Sequence, residues 1–537
     1  MKRLALIQLF FLMTILSYSQ SSNSSIIYVN GQLNMGANNG ISWTDAFTSL
    51  QSALAVAVSG DEIWVAGGTY FPAEDGVDRR QYFVIPKGVK LYGGFKGDEV
   101  SIDDRILDDH PTILSGNIGD SNTNEDNSLH IVQITVADSN MLIDGFIISD
   151  GYAQAPGLPL NDVSGGGVQI FLRQDNPEGW PRIQNCIFQN NVAALGGGLF
   201  VRTNNTISTP FEILNCQFIN NEGTSLGGGL YRQGGSDPMI VDLIQDCTFE
   251  KNKAVDGGGI LIVEGASNMI IRSCTFNENI GVAAGGGLDI RTSSGNSTGV
   301  LENCTFSKNS RGSLRVQNSL GDLDFKVKNC NFFDDENSSV ENTCSFTNRQ
   351  HHLNLTIEHS NFIANDDTFP NRGLQIGDRG IATSQLIVRH SSFDGNWIGV
   401  LYSGDEAPDR SNHEAQISNC LFVNQKEGAY YNVGAGDSRT YMANCTFVNN
   451  GNYSIRKFWL DVPTQDYIDN DFIISNSLFY EPQLDSLYKV LSTWADGEIR
   501  GTFRFDRIVD YSLSHSAFSK VKVNSVDSVG NDWGIGN

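Results

Sequence analysis

The chain of 537 residues carries 61 acidic and 36 basic side chains, which give a formal net charge of −25. Nucleic acids are bound mainly through Lys and Arg on phosphates, so this charge argues against a nucleic-acid-binding protein. It favours a solvated acidic surface, and an apolar fraction of 40% is enough for a continuous core.

The chain begins with a segment typical of secretory signals. Lys2 and Arg3 precede an apolar run in MKRLALIQLFFLMTILSYSQ, and small residues follow at Ser17 and Ser19. This order predicts a signal peptide over residues 1–19 that is cleaved after Ser19. No later segment offers about 18 uninterrupted apolar residues, so no integral membrane segment is predicted. We therefore expect an exported protein, either secreted and extracellular or held at the cell surface.

Residues 20–60 are predicted to form an N-terminal strand and a capping helix. Apolar residues recur there at helical spacing: Phe47, Leu50, Leu54 and Val58. Thr44 or Asp45 is the expected N-cap, and Gly60 ends the pattern. A cap is needed because an array of stacked coils would otherwise expose a raw sheet edge at its end.

An internal repeat dominates residues 151–480. The segment NCQFINNEGTSLGGGLYR recurs as NCIFQNNVAALGGGLF, DCTFEKNKAVDGGGIL and SCTFNENIGVAAGGGLDI. Short alternating stretches such as FEILNCQF indicate strands, and a period near 30 residues is typical of a solenoid. The repeated Phe returns every 25–32 residues, at Phe188, Phe218, Phe249, Phe276, Phe306, Phe332, Phe362, Phe393, Phe422, Phe447 and Phe479.

The sequence therefore predicts an all-β fold, a single-stranded right-handed parallel β-helix solenoid with an N-terminal capping helix. Regular coils are expected over 151–480, with irregular coils before them over 61–150 and after them over 481–537. Roughly 13 to 15 coils at about 4.8 Å each would give a rod on the order of 65 Å long.

Equivalent positions of the repeat are predicted to stack as ladders. The Phe points inward, and an Asn two or three residues later, such as Asn190, Asn220 or Asn252, is expected to hydrogen-bond from coil to coil. Five glycine triplets are expected at a corner where the backbone needs positive φ or a close approach. They begin at Gly165, Gly196, Gly227, Gly257 and Gly285.

Eight of the nine cysteines occupy one place in the repeat, two residues before an aromatic side chain. An exported protein with nine cysteines would ordinarily suggest disulfides. Their shared position instead predicts free, buried cysteines that pack in a ladder, with some disulfides as the alternative.

The paired FxxN and GGxI-type motifs resemble the repeats of the polymorphic outer-membrane protein family. That resemblance implies a β-helical passenger domain that acts as a surface adhesin. The run SWTDAFTSLQSALAVAVSGDEIWVAGGTY is also similar to the opening of secreted bacterial β-helix repeat proteins. This chain has GGG where the polymorphic family favours GGA.

The strand after each glycine triplet is predicted to alternate between core and surface, with Leu199, Leu230 and Leu288 inward. Exposed aromatic rings beside Arg would suit sugar stacking and carboxylate contact. The same side chains would equally suit a solubilising surface or one that loops cover. The candidate ligand-binding residues are the outward neighbours Phe200, Arg202, Tyr231, Asp289, Arg291 and Arg315.

The first functional hypothesis is a non-catalytic, monomeric protein for adhesion or extended-glycan binding, whose partners are polysaccharides or cell-surface components. The alternative is a polysaccharide lyase or glycoside hydrolase that acts on uronate-containing polymers, because the pectin lyase-like β-helix also carries such enzymes. One scaffold hosts many functions, so the fold alone does not decide between them.

The residues favour the non-catalytic hypothesis. A lyase needs a base and a neutraliser of the uronate carboxylate, often Ca²⁺, and a hydrolase needs clustered carboxylates. Arg291 and Arg315 with Asp289 meet the first need in part, but no second carboxylate falls clearly beside Asp289. The sequence therefore predicts no catalytic residue, no metal ligand and no cofactor, with Ca²⁺ left open.

Overall fold

A computed structural model provides the structure of the protein. The predicted signal peptide and most of residues 481–537 lie outside the described residues. The described residues are 24–73, 78–154, 157, 159–172, 177–203, 209–234, 241–264, 268–292, 295–334, 342–349, 351–364, 371–379, 382–404, 412–433, 438–458, 470–475, 477–480, 491–494, 503–506 and 509–510.

The chain winds into a right-handed parallel β-helix in which each coil contributes one strand to each of three or four sheets. Sheet 1 has 16 strands in the described part of the chain. They are Ile26–Val29, Glu62–Ala66, Lys90–Phe95, Leu142–Asp144, Arg182–Gln184, Glu212–Leu214, Val241–Gln245, Asn268–Arg272, Ser297–Glu302, Leu323–Lys328, His352–Glu358, Thr383–Arg389, Asn412–Ser418, Ser438–Ala443, Asn470–Ser475 and Phe503–Asp506.

Sheet 2 follows sheet 1 in each coil and contains the repeated Phe; it has 15 described strands. They are Gly68–Tyr70, Thr112–Ser115, Phe146–Ser149, Ile187–Gln189, Gln217–Ile219, Thr248–Glu250, Thr275–Asn277, Thr305–Ser307, Asn331–Asp334, Asn361–Ala364, Ser392–Asp394, Leu421–Val423, Thr446–Val448, Leu478–Tyr480 and Val509–Asp510. Sheet 3 has five strands within the described ranges, namely Tyr152–Ala153, Val192–Leu195, Glu222–Leu226, Lys253–Asp256 and Ile280–Ala284.

Sheet 4 closes each coil and has 14 described strands. They are Phe83–Val84, Val132–Ile134, Val168–Leu172, Leu199–Thr203, Leu230–Gln233, Ile260–Glu264, Leu288–Thr292, Leu314–Asn318, Asn342–Arg349, Arg372–Arg379, Ile398–Gly404, Gly428–Val433, Tyr453–Phe458 and Leu491–Trp494. A separate two-stranded pair joins Ala137–Asp138 to Pro177–Glu178.

The N-terminal end carries the predicted helix, but its start differs from the prediction. Helix α1 spans Leu50–Val56 with Ser49 at the N-cap, and a separate 3₁₀ turn spans Trp43–Asp45. Further 3₁₀ turns span Ile102–Asp104 and Leu160–Val163. Thr44 and Asp45 therefore lie in the 3₁₀ turn and do not cap α1. The prediction was wrong because Phe47 bridges to Val29 of sheet 1 and interrupts the helical segment.

The core is built from side chains that stack on their own equivalents. Phe188, Phe218 and Phe249 belong to a continuous column in which successive ring centroids lie 4.5 to 5.1 Å apart and the rings are nearly parallel. The pairing register places each Phe directly opposite the next, as in Phe218 with Phe249. The predicted Phe ladder is confirmed.

A second ladder consists of buried amides. The side chain of Asn221 donates to the Asn252 Oδ1 at 3.0 Å and to the backbone oxygen of Phe188 at 2.8 Å. The ladder residue follows the Phe by three positions, so it is Asn191 or Asn221 where the sequence had suggested the preceding Asn190 or Asn220. Asn190 and Asn220 instead have positive φ at the turn.

The glycine triplets form the corner before sheet 4, as predicted. Gly227 has φ of +61°, a conformation that disfavours a side chain. A Cβ on the next residue, Gly228, would lie 2.4 Å from the backbone oxygen of Gly258 in the following coil. Both conditions, positive φ and close approach, are therefore present within one triplet.

All nine cysteines are free and buried, which confirms the prediction of unpaired packing cysteines. In the described part of the chain, no helix is long and apolar enough to cross a membrane.

Replacing Phe249 with Ala should lower the free energy of unfolding by roughly 3–5 kcal/mol, because a fully buried ring is removed between two stacked neighbours. The outward-facing neighbour Thr248 provides the control, and Thr248→Ala should cost less than about 0.5 kcal/mol. Urea unfolding checks both values. Equal stability of the two variants would contradict the stacking.

Thiol titration of the protein unfolded without reductant should find all nine cysteines reactive, because none forms a disulfide. The folded protein should react far more slowly, since burial keeps the thiols from solvent and burial raises the pKa of the Cys216 thiol. Recovery of seven or fewer thiols from the unfolded chain would mean that at least one disulfide is present.

Candidate functional site

The sheet register brings the six predicted binding residues together on the outer face of sheet 4. One row runs from Phe200 through Tyr231, Leu261 and Asp289 to Arg315, and each of these residues pairs with the next. Arg202 and Arg291 lie in the parallel row two residues further along the strands. These residues therefore lie in two rows across consecutive coils.

The expected exposure of the two aromatic rings is wrong. Phe200 is 2% exposed and Tyr231 is 4% exposed, and their rings stack at 5.6 Å. Leu195 and Leu226, at the ends of two sheet 3 strands, pack against them. Because the glycine corner folds the end of sheet 3 over the outer face of sheet 4, these rings lie in a small satellite core and present no face to a sugar.

The charged residues of the row are engaged with one another. Arg291 contacts Asp289 at 2.7 Å and Asp256 at 2.6 Å, and Arg315 contacts Asp289 at 3.2 Å. Asp289 is completely buried, and burial raises the pKa of its carboxyl although both Arg side chains oppose that rise. This network needs no ligand to satisfy it, which limits its capacity to neutralise a uronate.

Three guanidinium groups of the row keep some access to solvent. Arg291 is 25% exposed and Arg315 is 20% exposed. Arg202 is half-buried and lies over the ring of Phe171, with 5.7 Å from its guanidinium carbon to the ring centroid. A ligand-binding role for the row stays a prediction, and any such role would fall to these three residues.

A polar depression of about 510 Å³ lies at the start of four sheet 1 strands. No pattern in the sequence predicted it. We call it the sheet 1 depression, and it is lined by Asn268, Asn296, Ser297, Thr298, Asp322, Asp324, His352 and Asn354.

Register explains why these side chains meet. Asn268, Thr298, Asp324 and Asn354 occupy one position in four successive coils. Each is followed by an inward residue, as in the alternating burial of Leu323–Lys328. A polar residue at one strand position of each coil therefore becomes a row that runs along the rod.

Hydrogen bonds hold the row in place. Thr298 donates to the Oδ1 of Asn268 at 2.7 Å, and Asn354 donates to the Oδ1 of Asp324 at 2.6 Å. The backbone N–H of His352 donates to Asp322 at 3.2 Å. These bonds orient the side chains in pairs and leave further oxygen acceptors facing solvent.

Among the described residues, no group of three or more His, Cys, Asp or Glu side chains is arranged to hold a metal ion. The depression offers amide, hydroxyl and carboxylate groups for hydrogen bonding. Its chemistry suits a ligand with many hydroxyl groups, because amide, hydroxyl and carboxylate oxygens all accept from O–H donors.

A second polar cluster lies inside the rod, between the ends of sheet 4 strands and the starts of sheet 1 strands. The buried Asp378 accepts hydrogen bonds from the hydroxyls of Ser384 at 2.5 Å and Tyr402 at 2.8 Å. The ring of Tyr402 stacks on His413 with centroids 3.6 Å apart. Burial raises the pKa of Asp378 to about 6. Its position in the core makes this carboxyl a structural group.

The comparisons with known proteins concern the fold. The family described as "Right handed beta helix region" matches residues 226–408, and no curated protein matches the chain. Similar solved structures include the catalytic unit of a thermostable GH87 alpha-1,3-glucanase from Streptomyces thermodiastaticus strain HF3-3. It is 11% identical with a TM-score of 0.45, and the alignment covers 83% of this chain and 66% of the glucanase unit.

Two further similar structures are pectate lyase Pel9A and a polygalacturonase from Erwinia carotovora ssp. carotovora. Pectate lyase Pel9A is 13% identical at a TM-score of 0.24, with 95% of this chain and 87% of that chain covered. The polygalacturonase is 9% identical at a TM-score of 0.24, with 89% and 97% covered. Likenesses this weak give no ground for transferring an activity, so function has to be argued from the site.

Replacing Asp378 with Asn should flatten part of the pH dependence of stability. The folded-state pKa of about 6 exceeds the ordinary 3.8. The folded state therefore keeps a proton that the unfolded state releases, and the free energy of unfolding falls as pH rises from about 4 to above 6.

The decrease in the free energy of unfolding that is due to Asp378 should be at most about 3 kcal/mol. The variant Asp378→Asn should not show this decrease. Denaturant unfolding of both proteins at pH 4, 5, 6 and 7 measures the difference. Asp324→Asn on the exposed face is the control. A constant difference between wild type and Asp378→Asn at all four pH values would contradict the raised pKa.

Proposed function

We propose that this protein is a non-catalytic extracellular rod that binds an extended glycan through the outer face of sheet 1. The observation that carries the proposal is the sheet 1 depression, where four coils present hydrogen-bonding side chains in one row. A polyhydroxylated chain can use the same type of contact in each coil, whereas a compact metabolite would reach only part of the row.

Placement outside the cell and a role in adhesion belong to the same proposal. The signal-like segment over residues 1–19 supports export, and the resemblance of the FxxN and GGxI-type repeats to surface adhesins supports a role at a cell surface. The rod acts as a monomer in this proposal, because its repeated face needs no second copy to be complete. Binding requires no cofactor.

Hydrolysis at the same depression is the second candidate, and one observation favours it. Asp322 and Asp324 lie two residues apart and flank Leu323, the buried first residue of a strand, so both project from the outer face. Their Cα atoms are about 6.6 Å apart by strand geometry, and paired carboxylates perform glycoside hydrolysis. A lyase has less support, because Arg291 and Arg315 are already paired with Asp289.

Glycan binding is tested with variants of Asn354 and Thr298 and with matched controls on sheet 2. Asn354→Ala and Thr298→Ala should each weaken binding to soluble polysaccharide about tenfold, because each removes a hydrogen-bonding group from the row. Asn331→Ala and Thr275→Ala remove the same side chains from a different face and should leave binding unchanged. Calorimetric titration against a polysaccharide panel, with and without EDTA, measures the effect.

Several outcomes would contradict the proposal. Equal losses in the sheet 1 and sheet 2 variants would place the binding elsewhere, and so would loss of binding only in Arg202→Ala. Release of reducing ends by the wild type, abolished in Asp324→Asn, would establish the hydrolase in place of the non-catalytic protein. Binding that EDTA abolishes would show that a cation is required.

A further inference from the structure

The row in the sheet 1 depression defines a direction and a length. Asn268, Thr298, Asp324 and Asn354 are paired one to the next across parallel strands. Four such positions at strand spacing span about 14 Å along the rod axis. A ligand that repeats one contact in each coil must be extended parallel to that axis, and its own repeat must be close to the strand spacing.

The charges in the depression restrict the ligand further. Asp322 and Asp324 are its two carboxylates, and the protein as a whole has a net charge of −25. The cation nearest in sequence, Lys326, follows Asp324 by two residues on the same exposed face. A carboxylate on each sugar would meet the two aspartates at close range, where like charges repel. Hydroxyl groups would find acceptors at the same places.

Less polar side chains lie beside the row in two of its four coils. Ile270 and Val300 occupy the next outward position on the strands of Asn268 and Thr298, and both are half-buried. The same position holds Lys326 and Thr356 in the next two coils. Sugar rings combine hydroxyl edges with apolar C–H faces, so a ring lying on this surface would place each part against matching side chains. The polar row and the neighbouring apolar residues Ile270 and Val300 together suit a sugar ring better than a peptide backbone.

We infer that the ligand is a neutral glycan, bound as an extended chain parallel to the rod axis over about four sugar residues. This inference rests on the proposed function, because it specifies the ligand of the same depression. The sheet 1 depression then discriminates between polysaccharides in two ways. Its length selects extended chains, and its carboxylates Asp322 and Asp324 select against uronates.

A length series of oligosaccharides tests the first part. Neutral β-1,4-linked oligomers of two to six residues are titrated into the full-length protein. Affinity should rise about tenfold from the dimer to the tetramer, as successive coils add hydrogen bonds, and should then level off. Equal affinity for the dimer and the hexamer would overturn the four-residue extended mode.

Oligogalacturonates of the same lengths test the second part. They should bind at least about tenfold more weakly than the neutral oligomers at low salt. This difference in affinity, the uronate gap, should narrow as ionic strength rises. The double variant Asp322→Asn with Asp324→Asn should close most of the gap at low salt. Asp103→Asn, at the N-terminal end, removes an exposed charge elsewhere and should leave the gap unchanged.

The outcomes distinguish this inference from the proposed function on which it rests. Failure of every glycan to bind would overturn both. Tight binding of oligogalacturonate by the wild type, lost in Asn354→Ala, would keep the binding site and overturn the neutral ligand. An uronate gap that persists in the double variant would show that Asp322 and Asp324 are not its cause.

Discussion

Hydrogen bonding between equivalent strands of successive coils is the constraint on which the structure depends. Because each strand pairs in parallel with its counterpart, every side chain faces a copy of its own position in the next coil. Buried positions must therefore hold residues that tolerate self-stacking. The Phe rings stack in parallel, the Asn221 side chain donates a hydrogen bond to Asn252, and Gly228 allows a backbone approach that a Cβ would block.

The same constraint acts on the outside, where it converts a residue type at one repeat position into a row along the rod. What the row can do depends on whether another segment covers it. On sheet 4 the sheet 3 ends bury Phe200 and Tyr231, and the charged residues that follow pair with one another. On sheet 1 the row from Asn268 to Asn354 borders an open depression. Recognition is therefore proposed for sheet 1.

The sequence predicts those features that recur in the same order in each repeat. It does not reveal contacts between different parts of one coil. The Phe, Cys and Gly positions were predictable because each recurs in a fixed order. Adjacent residues such as Asn190 and Asn191 look equivalent in the sequence, so the ladder was misplaced by one residue in such coils, whereas Asn252 was predicted correctly. Burial of Tyr231 depends on Leu226, which precedes the glycine corner, and alternation along one strand carries no sign of that contact. The sheet 1 depression combines four coils whose polar residues resemble ordinary surface residues one at a time.

The most direct test of the account is a crystal structure of the protein with a neutral β-1,4-linked tetrasaccharide. The account predicts one chain along the rod axis on the outer face of sheet 1, with hydrogen bonds to Thr298, Asp324 and Asn354 and a new contact roughly every 4.8 Å. A tetrasaccharide bound on sheet 4 against Arg202 and Arg291, or lying parallel to the strands of sheet 1 within a single coil, would contradict it.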